Sequence, residues 1–401
     1  MSFALKYKLA ATAAVSVLLA GASALPVRAA DLGGDCCADL EERVAELEAT
    51  TVRKGNRNVS VTLYGHVNSA VLWYDNGEEA DAYVVDNDTS VSRIGVKGSG
   101  KIKAGWEAGY RIELQAAGDV LSGTSENDGD DGSGGGSSID GVRVRQANWY
   151  VKSDQLGKVT VGQISSAADG IVDGIGLSGP AAEFAYDGPA DWNASFCVID
   201  ASTGACSGKK WGDIHNAFDP NSRDSGIRYD TPAFAGFTIS ASWGEDDEAD
   251  VAVRYEGDYG DVKVAAAAGY NYDADENAKR DNWAASASIR HVPTGIFVVA
   301  SYGAQDRNVV GEDERTNWYL QGGVSKDFSG MGETAVYGEY DESDNADGAE
   351  SEATMWGLGV AQDISAVGAT AYLGYRHHEA DIIGLDTKDF DAVLGGMKVR
   401  F

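Results

Sequence analysis

From Val59 onward the chain alternates with period two. In "SVTLYGHVNSAVLWYD", Val61, Leu63, Val67, Val71 and Trp73 share one parity. Ser60, Thr62, Tyr64, His66 and Asn68 share the other. Successive side chains of a strand point to opposite faces, so this segment is a strand with one apolar and one polar side. Comparable segments begin near Ser90, Ile102, Val142, Val159, Arg223, Thr238, Val251, Val262, Asn282, Gly295, Thr316, Glu333, Ala353, Ala369 and Phe390. With the first they make about sixteen, an even number as bacterial outer-membrane barrels require.

The connections alternate too. "GSGK", "SDQLGK", "DTPAFAG", "EGDYGD", "HVPTG", "DFSGMGE" and "DISAVGA" are short. The others, 75–89, 116–141, 165–222, 244–250, 273–281, 304–315, 341–352 and 379–388, are longer and acidic. Short turns on one rim and long loops on the other mark an outer-membrane barrel, and a β-sandwich has no reason to sort its loops this way. Tyr and Trp recur near strand ends, as at Trp73, Trp149, Trp243, Trp283, Trp318 and Trp356, where a ring with one apolar and one polar end suits a membrane interface. The expected fold is all-β, a transmembrane antiparallel β-barrel of about 16 strands. The chain then ends as it must. "GGMKVRF" puts Met397, Val399 and Phe401 toward lipid and Lys398 and Arg400 toward the lumen, because an open sheet edge is untenable in hydrocarbon.

The N-terminus sets the compartment. Residues 1–30 carry Lys6 and Lys8, then an apolar run, then small residues before Asp31. That is a secretory signal peptide, with cleavage expected after Ala30. In the following segment, 31–56, Cys37, Leu40, Val44, Leu47 and Thr51 recur at 3-4-3-4 spacing. This reads as a short periplasmic helix, either a two-heptad coiled coil or a single amphipathic helix. Cys36 and Cys37 would link protomers or pair with each other. The domain organisation is therefore signal peptide, helical segment 31–56, and barrel 57–401.

The formal net charge is -31, and the signal contains three cations and no acid. So acidic a chain has no basic patch for nucleic acid. It suits solubility, cations or a cation-attracting pore.

Four stretches carry a family resemblance: "VTLYGHVNSAV" (61–71), "SRIGVKGSG" (92–100), "VRQANWYVKSDQLGKVTVGQ" (144–163) and "VLGGMKVRF" (393–401). The chain resembles the general trimeric porins of Gram-negative bacteria, most of all those of alphaproteobacteria. The resemblance implies an outer-membrane homotrimer contacting lipid and lipopolysaccharide. It implies passive diffusion of ions and small hydrophilic solutes, no cofactor, and a terminal Phe401 serving as assembly signal. It also implies a third loop, 165–222, folded into the barrel to form a constriction. Arg93 and Arg145 match the basic wall. Arg143 shares parity with Arg145, and Arg111 on the third strand is a further candidate. In "PAAEFAYDG" (180–188) Glu183 matches an acid of the constriction loop, with Asp169, Asp173 and Asp187 as further candidates. The family's partner acid is replaced by Gly179. Cys197 and Cys206, both in this loop, are expected to form an intraloop disulfide that fixes its shape.

Acidic loops predict modest cation selectivity, opposed by the arginines. "NDGDDGSGGGSS" (127–138) lacks a Glu at EF-hand spacing, so no metal site is expected. No Gly-x-Ser-x-Gly elbow is present, which argues against an enzyme. The alternative to a general pore is a channel specific for sugars or oligopeptides.

Overall fold

The computed structural model describes residues 58–117, 120–126, 141–173, 176–184, 188–245, 248–273, 280–309, 311–347 and 351–401. The expected signal peptide, the helical segment with Cys36 and Cys37, and the stretch 127–138 lie outside them.

The described chain begins with β1 (Thr62–Asp75), β2 (Ala80–Asp86), β3 (Arg93–Lys103), β4 (Trp106–Ala117), β5 (Gly141–Ser153) and β6 (Gly157–Ser165). A hairpin of β7 (Cys197–Asp200) and β8 (Ala205–Lys210) and a single turn α1 (Trp211–Ile214) follow. Next come β9 (Arg223–Asp230), β10 (Phe237–Gly244), β11 (Glu248–Asp258), β12 (Val262–Asp273) and β13 (Arg280–His291). The remainder is β14 (Ile296–Asp306), β15 (Arg315–Lys326), β16 (Thr334–Asp344), β17 (Ser351–Ile364), β18 (Ala369–Ile382) and β19 (Phe390–Arg400).

Every barrel strand is antiparallel to its neighbours. β6 pairs directly with β9 and leaves the β7–β8 hairpin out of the wall. β2 and β3 both pair with β1, so they are one barrel strand in two pieces. The barrel therefore has 16 strands and closes between β1 and β19.

Two boundaries differ from the sequence reading. The second barrel strand starts at Ala80, not near Ser90, and its upper half lies in the supposed loop 75–89. It breaks at Asn87, whose side chain accepts from the Thr89 amide at 3.0 Å and starts a 3₁₀ turn, Asp88–Ser90. Asn, Asp, Thr and Ser satisfy backbone locally and so interrupt a ladder. The following turn is Ala104–Gly105. "GSGK" lies inside β3, because a glycine-rich segment can remain paired wherever a neighbour crowds it.

Parity sorts the wall as expected. Leu63, Val67, Val71, Ile112, Val251, Leu320, Val336, Leu358, Met397 and Val399 are exposed on the outside. Toward the long-loop rim an alternating aromatic band crosses the outer face from β12 to β18: Tyr270, Trp283, Tyr302, Trp318, Tyr340, Trp356 and Tyr375. Tyr270–Trp283, Tyr302–Trp318 and Tyr340–Trp356 are direct cross-strand partners. Trp283–Tyr302, Trp318–Tyr340 and Trp356–Tyr375 touch diagonally at 5.0–5.3 Å between centroids.

Phe401 continues the seam. Its amide donates to the Gly65 carbonyl at 3.0 Å, and its carbonyl accepts from the Gly65 amide at 3.1 Å. A Cβ on Gly65 would lie 2.6 Å from the Phe401 ring and 2.4 Å from the Arg93 carbonyl, so only glycine fits beneath that ring. A Gly65→Val protein is expected to lose the heat-stable, fast-migrating barrel form on unboiled gels. Wild-type yield of that form would contradict this account of the seam.

Candidate functional site: the lumen and its inward loop

Residues 166–222 link β6 to β9 and fold inside the barrel. The first leg is tied to the wall by its own carbonyls. Arg228 donates to Ser166 at 2.6 Å, and Arg254 donates to Ala167 and Asp169 at 2.8 Å each. A short 3₁₀ turn, Gly179–Glu183, then presents Phe184, which stacks on Tyr372 at 4.6 Å. Trp192 lies against Gly374 of β18, where a Cβ would come within 2.7 Å of the indole. Arg376, fully buried, sits 4.4 Å from the Trp192 ring, is paired with Glu339 at 3.0 Å, and donates to the carbonyls of Gly188 and Pro189.

Above this, a Cys197–Cys206 disulfide with Cα atoms 5.6 Å apart closes the β7–β8 hairpin. The hairpin meets the last connection of the barrel: the Ala201 amide donates to Asp386 at 2.7 Å, and the Lys388 amide donates to Ile199 at 3.0 Å. On the way back, His215 bonds Asp341 of β16 at 2.8 Å.

Apolar burial holds the loop in place. Phe184, Trp192, Phe196, Trp211 and Ile214 pack into one cluster with Leu72, Tyr74, Tyr337, Tyr372, Phe390 and Leu394 of the wall. Each such side chain removed from water contributes roughly 1.5–3 kcal/mol. The inner faces of β16, β18, β19 and β1 are therefore largely covered, whereas toward the short turns β3 to β6 and β9 line open space.

That wall is basic. Glu113 of β4 sits at its centre, 1% exposed, and meets three arginines: Arg111 at 2.5 Å, Arg145 at 3.2 Å and Arg93 at 3.7 Å. Tyr64 joins the same group, donating to Glu113 at 2.8 Å and accepting from Arg111 at 2.7 Å. A register shift on β5 opposite Glu113–Leu114 turns both Arg145 and Gln146 inward. Arg143 lies one step nearer the long loops, exposed and in no ion pair with a carboxylate among the described residues, so it does not join Glu113.

Of the expected acids, Asp169 faces Arg223 at 4.0 Å. Asp173 lies on the same first leg, and Glu183 closes the 3₁₀ turn. Asp187 falls outside the described residues.

Sequence reasoning missed three parts of this site. Arg223, which the sequence marks only as the start of a strand, faces Asp169 at 4.0 Å, and Arg254 of β11 reaches the loop carbonyls of Ala167 and Asp169. The break at 87–92 points into the lumen, where Thr89 donates to the Phe184 carbonyl at 3.3 Å and Lys398 to the Ser90 hydroxyl at 3.0 Å. The run Asn87-Asp88-Thr89-Ser90 was its signal. Asp219 ends the loop, accepting from the amides of Gly170, Ile171 and Val172 at 2.8–3.0 Å. Burial, and then the neighbouring Asp173 carboxylate, push it up to about 8.

Two cavities open inside the barrel. One of about 760 Å³, toward the long loops, is lined by Asp219, Glu248, Asp273, Asn282, Arg280 and Arg315. One of about 510 Å³, toward the short turns, is lined by Lys97, Arg111, Asn148, Tyr150, Lys158 and Arg228.

The profile of the Gram-negative porin family matches residues 10–382. The chain belongs to that family. It is an outer-membrane channel protein for passive diffusion of ions and solutes. Among solved structures it is similar to an anion-selective porin from Comamonas acidovorans, with 17% identity and a TM-score of 0.57 over 86% of this chain and 100% of that one. It is also similar to outer-membrane OmpT of Vibrio cholerae, with 15% identity and a TM-score of 0.55 over 87% and 99%. The outer membrane channel DcaP of Acinetobacter baumannii gives 13% identity and a TM-score of 0.54 over 87% and 99%. At these identities the likeness is one of fold. No curated protein sequence matches the chain.

Two outcomes follow from the porin's charges. Glu113→Gln removes the carboxylate that Arg93, Arg111 and Arg145 share. One unit charge at ~6 Å in water is worth ~0.7 kcal/mol, so the chloride-to-potassium permeability ratio should rise about threefold. An unchanged reversal potential in a salt gradient would refute this. Asp219 titrates higher folded than unfolded, so its contribution to loop docking is greatest below about pH 4 and is lost as pH rises toward about 8. Closing events in single-channel records should therefore be more frequent at pH 8 than at pH 5. Asp219→Asn should flatten that dependence.

Proposed function

We propose that this porin is a general diffusion channel whose eyelet is framed by Arg93, Arg111 and Arg145 on one side and by the inward loop, with Asp169 and Asp173, on the other. Glu183 and Asp187 belong to the same loop, and Arg143 guards the approach from outside. The observation that carries this reading is the one-sided docking of residues 166–222. The loop covers the far wall through an apolar core and leaves the arginine wall open to water. Solutes pass between fixed opposite charges, which order water and disfavour apolar cargo. No chemistry is needed for such passage.

The working unit is a homotrimer. The outer aromatic band runs over β12–β18, as a lipid-facing surface requires. The outer face of β2 to β5 is mainly aliphatic, with Val84, Ile94, Ile112, Val142 and Val144, and carries Trp149 nearer the short turns. The aliphatic part of that face suits contact with a neighbouring barrel. The mature chain begins after Ala30, and the segment 31–56 is periplasmic. Lipid and lipopolysaccharide surround the remaining perimeter.

A substrate-specific channel for sugars or oligopeptides is the rival reading. Planar-bilayer recordings separate the two. A general trimeric porin gives three equal conductance steps per insertion and no block by any one neutral sugar at micromolar concentration. Single steps would overturn the trimer, and micromolar block by a sugar would favour the specific channel.

A further inference from the structure

Below the arginine wall, toward the short turns, two lysines stand apart. Lys97 of β3 lies over the Tyr64 ring at 5.0 Å, and Lys158 of β6 lies over the Tyr150 ring at 5.0 Å. Neither forms an ion pair with a carboxylate among the described residues. The nearby acids are already engaged: Glu113 by its arginines, Asp230 by Arg228 at 2.8 Å, and Glu107 by the Tyr150 hydroxyl at 2.7 Å. Asp230 lies directly across from Lys158 in register, and it is Arg228 that holds it.

Arg111 is the register partner of Lys97. It also stacks on Tyr64, at 5.6 Å. All three cations line the 510 Å³ cavity, together with the Arg228–Asp230 pair and the amides of Gln146 and Asn148. Cations therefore outnumber carboxylates there, and the excess sits on the two ammonium groups.

A lysine over a tyrosine face is weakly held. Such a contact is worth about 0.5–1 kcal/mol where water reaches it, less than a charge-assisted hydrogen bond to an incoming carboxylate. Lys97 and Lys158 stand three strands apart, ~14 Å along the wall, and each has a flexible four-carbon stem. They can swing from their rings toward a solute between them, with Arg111 in the middle. The arrangement fits two separated negative charges better than one.

We propose that the inner vestibule is a binding station for small dicarboxylates, held at one end by Lys97, at the other by Lys158, and steadied by Arg111. This rests on the channel reading above and names a substrate class for it. The station lies on the short-turn side of the eyelet, so a dianion drawn through the pore pauses there before release.

The test uses the whole protein in planar bilayers in potassium chloride, with succinate, acetate or inorganic phosphate added on the short-turn side. Succinate should reduce the chloride current at a half-blocking concentration about tenfold below that of acetate, a difference of ~1.4 kcal/mol. Phosphate, with its charge on one centre, should act more weakly than succinate. The double variant K97Q/K158Q should raise the succinate value about tenfold. Equal block by succinate and acetate in the wild type overturns the proposal without any variant, and so does stronger block by phosphate. Succinate block that is unchanged in K97Q/K158Q, checked for its heat-stable assembled form, overturns it as well. Absence of conductance steps in the wild type would overturn the channel reading itself, and the station with it.

Discussion

Everything in this molecule depends on the backbone hydrogen bonds between β1 and β19. A sheet in hydrocarbon has nowhere to hide an unpaired edge, and one missing seam would expose a full row of amides and carbonyls. The ladder from His66–Arg400 to Asp75–Asp391 closes that row, and Phe401 extends it by one more pair with Gly65. Closure then fixes the rest. The parity of the seam decides which side chains meet lipid, an even strand number brings both ends of the barrel to one rim, and the width of a 16-strand barrel admits water. Only because water enters can Glu113, Asp250 and Asn317 face inward at all.

A water-filled lumen would tolerate a polar inner wall all round, yet part of this one is apolar. On β1 the inward positions change from His66 and Asn68 to Ala70, Leu72 and Tyr74 within a single strand. The inward loop explains the change. It brings its own aromatic residues, and they need an apolar surface to rest on. The buried Arg376–Glu339 pair within that surface offers its remaining donors to loop carbonyls, so it specifies where the loop lies as well as holding it. The barrel is shaped by lipid on the outside and by its own third loop on the inside. Two unlike solvents therefore act on one strand.

The architecture was legible because a period of two, repeated with short and long connections, has few other solutions. Alternation placed Met397, Val399 and Phe401 outside and Lys398 inside, as found. Its failures have a common cause. At Ala80–Asp86 the strand was hidden because Glu78, Glu79 and Asp81 read as loop, although four residues, 76–79, suffice for the turn. In "AVLWY" both faces are apolar, which alternation cannot interpret without knowing that a loop lies beneath. The arginines of the wall came from resemblance. Their common carboxylate, Glu113, did not, since one acid on a strand carries no signal until register sets Arg93, Arg111 and Arg145 around it. Arg223 and Arg254 were missed for the same reason: their partners are backbone and side-chain groups of a loop whose path no local pattern encodes.

The placement of charge along the lumen follows from these constraints. The loop carries the acids Asp169, Asp173 and Asp219 and docks where apolar residues receive it; Asp169 faces Arg223 of the open wall, and Asp219 is held by the loop's own amides. That wall must then be basic, or the loop would be repelled from its own pore. A single acid, Glu113, is enough to keep three guanidinium groups ordered without cancelling them. A second carboxylate would halve the group's net charge from +2 to +1, and none at all would leave three like charges crowded within one stretch of sheet, at a cost of about 1 kcal/mol per close pair even in water. The acidity of the whole chain therefore says little about the charge that an ion meets beside this wall. Acids are spread through the long connections, whereas Arg93, Arg111 and Arg145 gather around one carboxylate.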